Sequence, residues 1–186
     1  AVGSFQSPPL SCAATVKANR SSEGGVTDAV TSSANATLQL ATDLALTTGV
    51  ARIAGPLPPK VDTETLYSIT WLLQNSANAI ANTEVHATLP TYMSWKGNAT
   101  NGDVTYNENN RTITWKVGDM SASVSKSVTF QIALLPSVSQ VNLVPQLLTG
   151  QEVEAFDRFI RTQILRPMPP VTTQTGTTPQ NGIVVP

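Results

Sequence analysis

Apolar residues recur at every second position in a series of short stretches, and amphipathic runs of helical length are scarce. The clearest stretch is Thr65 to Asn75. There Tyr67, Ile69, Trp71 and Leu73 share one face, while Ser68, Thr70 and Gln74 share the other. Successive side chains of a strand point to opposite sides, so this spacing predicts a strand with one buried face. Thr83 to Leu89 repeats it, with Val85, Ala87 and Leu89 inward, Glu84, His86 and Thr88 outward, and Pro90 as the stop. Thr112 to Val117 carries Ile113, Trp115 and Val117 on one face. Ser127 to Leu134 does the same with Val128, Phe130, Ile132 and Leu134. Asp43 to Ile53 precedes them, with Leu44, Leu46 and Val50 as core contacts, and the prolines of Gly55-Pro56-Leu57-Pro58-Pro59 end its pairing. Gln146 to Phe156 and Phe159 to Leu165 form a last pair around Asp157-Arg158. Asn75 to Asn82 reads as a polar connection, and Gly97 to Asn110, rich in Asn, Gly and Asp, as a loop.

Seven short strands separated by turn signals predict an all-β chain, with an immunoglobulin-like β-sandwich over residues 43–166. Residues 1–42 predict an additional N-terminal β-hairpin. Its strands run from about Leu10 to Asn19 and from Val26 to Leu40, around the turn signal Ser21-Ser22-Glu23-Gly24-Gly25. Two strands alone are marginal in water, so this hairpin must dock on the sandwich or complete a sheet with another chain. Residues 167–186 form an extended Pro/Thr-rich tail. It ends in Gly182-Ile183-Val184-Val185-Pro186, which is apolar enough to pair with an offered edge. Ile183, Val184 and Val185 are therefore candidate self-association residues.

Composition sharpens this picture. Charged residues are 12% of the chain, about half of the roughly 25% usual in soluble domains. Hydroxyls and amides must wet the surface instead, from 25 Thr, 16 Ser and 12 Asn. Net charge is -1, and no cluster of Lys and Arg exists to displace counterions, which excludes a nucleic-acid partner. No apolar run approaches the ~18 residues of a membrane span. The chain begins Ala-Val-Gly-Ser, which fits removal of a signal or upstream region and an extracellular location. Cys12 stands alone, so no disulfide forms within the chain.

Candidate chemistry is sparse. The one histidine, His86, points outward from its strand, which disfavours a Ser-His triad. Glu152 and Glu154 lie two apart, as solvated carboxylates protecting a sheet edge. Asn98, Asn101, Asp103, Asn107, Glu108 and Asn109 crowd one segment and offer oxygen to calcium. However, they lack the EF-hand order, and Asn-rich turn chemistry explains them without a metal. No cofactor is expected, calcium being the alternative left open. Asn19, Asn35, Asn98 and Asn110 each begin an Asn-X-Ser/Thr triplet and are candidate glycan attachment sites, in numbers only slightly above chance. Trp71 and Trp115 fall on inward faces. Trp95, with Tyr92 and Met93 beyond Pro90, forms the candidate adhesive contact.

A resemblance adds to this reading. Pro58-Pro59-Lys60-Val61, Tyr67-Ser68-Ile69-Thr70-Trp71 with Asn75, and Asn82-Thr83-Glu84-Val85 leading to Thr88-Leu89-Pro90 are followed by two further matching stretches. These are Ile113-Thr114-Trp115-Lys116-Val117-Gly118-Asp119-Met120 and Val128-Thr129-Phe130-Gln131-Ile132. Together they resemble the conserved-repeat, immunoglobulin-like domain of unknown function in large bacterial and archaeal cell-surface proteins. The resemblance covers residues 43–166. It departs at Ser76-Ala77-Asn78, where the family usually has Gly after the Asn, and at Ala87-Thr88, where it commonly has an acid. It implies surface location, tandem repetition, a scaffold role and no catalytic residue. Residues 1–42 then look like the closing hairpin of a preceding repeat. The expectation is a non-enzymatic structural subunit of a surface filament, pilus-like fibre or layer, joined to copies of itself by strand donation. The alternative is an adhesive module that binds surface glycans or host proteins.

Overall fold

A computed structural model describes residues 9–21, 27–100, 103–174 and 179–186. The alternating segments fold as strands: β3 (Leu44–Ala54), β4 (Thr65–Asn75), β5 (Ile80–Thr88), β8 (Thr112–Met120), β9 (Ser125–Leu134), β10 (Gln146–Asp157) and β11 (Thr162–Met168). β6 (Met93–Thr100), β7 (Asp103–Asn107) and the short β12 (Val171–Thr172) accompany them. One layer has the order β3-β4-β9-β6. The other runs β11-β10-β5-β8-β7, with β12 pairing with β10. All these ladders are antiparallel, as in an immunoglobulin-like sandwich.

Period-two faces explain why the layers close on each other. Tyr67, Ile69, Trp71 and Leu73 of β4 and Phe130, Ile132 and Leu134 of β9 are fully buried. Opposite them lie Val85 of β5, Ile113 and Trp115 of β8, and Val153 and Ala155 of β10. Trp71 stacks on Trp115 with ring centroids 6.4 Å apart and meets the edge of Phe130 at 4.8 Å. Each such pair adds about 0.5–1.5 kcal/mol beyond the area it buries.

Three expectations need correction. The segment from Gly97 to Asn110 is not a loop, because β6 and β7 occupy most of it as the outer strands of the two layers. An outer strand needs fewer apolar contacts, and here Trp95, Val104 and Tyr106 supply them while half-buried. The Gly and Asn content reflects a bulge: Gly97 and Asn98 both take positive φ where the β6–β9 register shifts. Second, the connection after Asn75 is shorter than expected, since β5 begins at Ile80 and buries Ile80 and Ala81. Third, Glu152 and Glu154 do not guard an edge; β10 lies between β5 and β11.

β1 (Leu10–Ser21) and β2 (Thr27–Leu38) form the expected hairpin, in register from Leu10 opposite Leu38 to Ser21 opposite Thr27. It is a two-stranded sheet by itself and does not join either layer.

A buried polar cluster fixes the connector between hairpin and sandwich. The Asp157 carboxylate is inaccessible to solvent and accepts hydrogen bonds from Thr42 N–H and the Asn78 amide, both at 2.8 Å. It also accepts from Phe159 N–H at 2.8 Å and Ile160 N–H at 3.3 Å. Asn78 donates to the Leu40 carbonyl, and Thr42 Oγ1 donates to Asn75 Oδ1 at 2.7 Å. Asn75 in turn donates to the carbonyls of Asn78 and Ser121. Burial pushes the Asp157 carboxyl up, but its hydrogen bonds from Asn78, Thr42, Phe159 and Ile160 outweigh this and hold it below the ordinary carboxylate value.

Candidate assembly surface

The ladder of the hairpin sorts its residues into two faces, because directly paired residues lie on the same side. Leu10, Cys12, Ala14, Val16 and Ala18 of β1 pair with Leu38, Ala36, Ala34, Ser32 and Val30 of β2. This face is almost wholly apolar. The opposite face pairs Ser11, Ala13, Thr15, Lys17 and Asn19 with Thr37, Asn35, Ser33, Thr31 and Ala29, and is almost wholly polar. Every one of these twenty residues is exposed, Val16 by 66%. An amphipathic two-stranded sheet with none of the described residues covering its apolar side is unusual in a stable state. Its signal lay in the sequence as small apolar residues at alternate positions, diluted by Ala and Ser.

The second feature is the β3 edge. β3 pairs with β4 on one side and, among the described residues, with no strand on the other. Its Leu44 and Leu46 are buried, whereas Ala45, Thr47, Gly49 and Ala51 are exposed, and Arg52 is its one charged residue. An open groove of about 420 Å³ lies beside it, between the layers, lined among others by Leu46, Val50, Met168, Pro169 and Val171. Gln151 crosses its floor, accepting from Trp71 Nε1 at 3.0 Å and from Thr48 Oγ1 at 3.1 Å.

The C-terminal candidates are placed otherwise than as a strand left over for another chain. Val184 is fully buried and Ile183 and Val185 half-buried, all against their own chain. Val184 N–H donates to the Leu143 carbonyl and Val185 N–H to the Pro59 carbonyl, while Val61 N–H donates to the Val185 carbonyl. Parallel bridges join Val184 to Val141 and Val185 to Lys60. The loops 56–62 and 137–145 together offer the edge these residues want, so the demand is met in cis.

The adhesive candidates also separate. Met93 is buried in the core, being the first inward residue of β6, and so cannot form an outward contact. Trp95 is half-buried, stacked on Tyr106 at 5.7 Å and tilted against Phe130 at 5.3 Å. Tyr92 is half-buried and its hydroxyl accepts from Gln146 N–H. Met93 and Trp95 thus pack β6 against the core, while Tyr92 contacts the start of β10.

The four triplet asparagines are all exposed. Asn19 and Asn35 lie on the polar hairpin face, Asn98 on β6 and Asn110 in the turn before β8. His86 is spent on Glu84, 3.4 Å away, and on Thr114 Oγ1 at 3.1 Å. Of the calcium candidates, Asn101 lies outside the described residues, Asn98 donates to Gln131, and Asn107 Oδ1 caps the turn at Asn109 N–H. Among the described residues no three His, Cys, Asp or Glu side chains gather as a metal site, and no helix is long and apolar enough to cross a membrane.

No family model matches the chain and no curated protein matches its sequence. Its fold is similar to that of BcpA, the major pilin subunit of Bacillus cereus, at 14% identity and TM-score 0.51, over 84% of this chain and 47% of that one. It is also similar, at TM-score 0.46 and 11% identity, to the full-length major pilin SpaD of Corynebacterium diphtheriae, over 69% of this chain and 34% of that one. A putative membrane anchored protein of Corynebacterium diphtheriae matches over 95% of this chain and 48% of that one, at 11% identity and TM-score 0.42. The chain thus spans about half or less of the length of these three proteins. Its likeness to the Bacillus cereus subunit is one of fold alone, a sandwich of antiparallel sheets.

Proposed function

We propose that this protein is a non-catalytic structural subunit of an extracellular surface filament, pilus-like fibre or surface layer, assembling by β-strand donation between copies. One observation carries the reading: an amphipathic hairpin stands exposed on a completed sandwich, with an apolar face and backbone edges in want of partners. The sandwich shared with a major pilin subunit supports it. So does the resemblance of residues 43–166 to the conserved-repeat domain of bacterial and archaeal surface proteins. A surface wetted by hydroxyls and amides fits the same setting. The adhesive reading keeps less support, because Met93 is buried and Trp95 is stacked within its own chain.

Sedimentation velocity and negative-stain images of the purified chain test this directly. Ordered polymers or concentration-dependent oligomers are expected for the full chain and not for a chain lacking residues 1–39, which loses the hairpin but keeps Leu40 and Thr42 in the Asp157 cluster. A full chain that stays strictly monomeric at its highest soluble concentration refutes the proposal.

A further inference from the structure

The geometry points to the acceptor: we infer that the apolar face of β1–β2 seats beside β3 of a second copy and closes the groove there, head to tail. This rests on the reading that copies associate, and names the two surfaces that meet.

The hairpin has the residue pattern of one that packs inward. Leu10, Val16 and Ala18 stand at the same spacing as Leu147, Val153 and Ala155 of β10. Across the ladders, Ala18 faces Val30 as Ala155 faces Ile164. In β10–β11 this face is buried against the opposite layer, with Leu147 and Val153 fully inaccessible. β1–β2 therefore repeats a sandwich-closing face but has no layer beneath it.

The β3 edge offers that layer. Its sheet is four strands wide, set against a layer five strands wide, and the groove marks where the narrower layer stops. A hairpin added next to β3 continues the sheet and turns its apolar face onto Leu46, Val50, Met168 and Val171. Lengths match: β1 and β2 have 12 residues each and β3 has 11. From Leu44 to Ala51 the edge carries no proline, no charge and an unbroken register; its single charge, Arg52, and its one register shift, between Arg52 and Ala54, lie at the far end.

The remaining features agree with a contact in trans. Leu40 and Thr42 are held by the Asp157 cluster, and β2 makes no ladder with β3 of its own chain. Asn19 and Asn35 lie on the polar face, and neither Asn98 nor Asn110 lies on β3 or lines the groove, so glycans would leave both surfaces free. The hairpin face alone is small. At ~3.3 Å per residue and ~5 Å per strand it covers roughly 400 Å² per copy, or about 800 Å² for two such faces stacked together. A specific interface buries about 1,200–2,000 Å². Edge pairing plus filling of the groove supplies what face stacking does not. Since donor and acceptor surfaces differ, the contact leaves a free donor and a free acceptor after every addition, and the array grows as an open filament unless the rotation between copies closes it into a ring.

A mixing experiment tests this. Val16→Lys charges the donor face, and Val50→Lys places an inward charge on the acceptor edge. Each variant alone is expected to sediment as a monomer, and their equimolar mixture as a dimer that grows no further. Association of Val50→Lys equal to that of the unaltered chain overturns the inference, as does a mixture that stays monomeric. To guard against a Val50→Lys chain that does not fold, hydrogen exchange is followed on the unaltered protein. The outward amides of β3 are expected to slow about tenfold or more from dilute to concentrated solution, and no slowing overturns the inference. A monomeric unaltered chain defeats the proposed function as well. Association that spares β3 defeats only the assigned acceptor.

Discussion

Replacing Asp157 by Ala should destabilise the sandwich more than any other single change at its surface-connecting turns. Four donors converge on this carboxylate. Phe159 and Ile160 are half-buried, so water can replace the lost partner of their N–H groups. Thr42 N–H and the Asn78 amide are buried, and each orphaned donor costs about 1–3 kcal/mol. The sum is about 2–6 kcal/mol, which for a sandwich of this size lowers Tm by roughly 5–25 °C. The pH dependence has a definite sign. The folded carboxyl lies below its ordinary value of 3.8, so the native state favours the ionised form. Its contribution is complete above that value and is lost as pH falls through the folded pKa. Urea titrations of the unaltered and Asp157→Ala chains between pH 8 and pH 2 are therefore expected to show a constant gap that shrinks in acid. A loss below about 1 kcal/mol, or a gap that widens on acidification, would refute the argument.

Two further outcomes follow from the core and tail. Val184→Ala removes two buried methyl groups and should cost about 1.5–2.5 kcal/mol locally, seen as faster proteolytic trimming of the C-terminus with little change in the main melting transition. Tyr67→Phe should be neutral or stabilising by up to ~2 kcal/mol in a denaturant titration, because the buried hydroxyl has no partner among the described residues. Burial pushes the Tyr67 phenol up to about 12, with Arg52 opposing, so its contribution is complete below its ordinary value of 10 and is lost as pH rises towards 12. The phenylalanine chain should resist alkali better over that interval.

The strands that hold the core were legible because a period of two with aromatic and branched residues has few other meanings. β4, β8 and β9 carry that pattern at full strength. β6 and β7 did not announce themselves, since an outer strand can spend half its positions on Asn, Gly and Thr, and the bulge at Gly97-Asn98 mimics a turn. The Asp157 cluster was invisible for another reason. Asn75, Asn78 and Asp157 each look like turn residues locally, and only the closing of the sandwich brings Thr42 to Asp157 across 115 positions. The cis docking of Val184 was missed likewise: an apolar terminus says that it seeks an edge, not whose edge it finds. The two-faced hairpin was readable from alternation, but Ala and Ser supply a weaker contrast than Leu and Thr.

The placement of the two chain extensions at opposite poles of the sandwich has a mechanical meaning. The connector from the hairpin is gripped at the pole where β3 starts, beside Asn75 and Asp157, while the tail is stitched to the loops 56–62 and 137–145 at the other. A pull on a captured hairpin would reach β3 lengthwise and oppose its ladder to β4 in shear, with ten residue pairs resisting at once rather than parting one by one. A sandwich loaded this way yields abruptly at a high force instead of peeling.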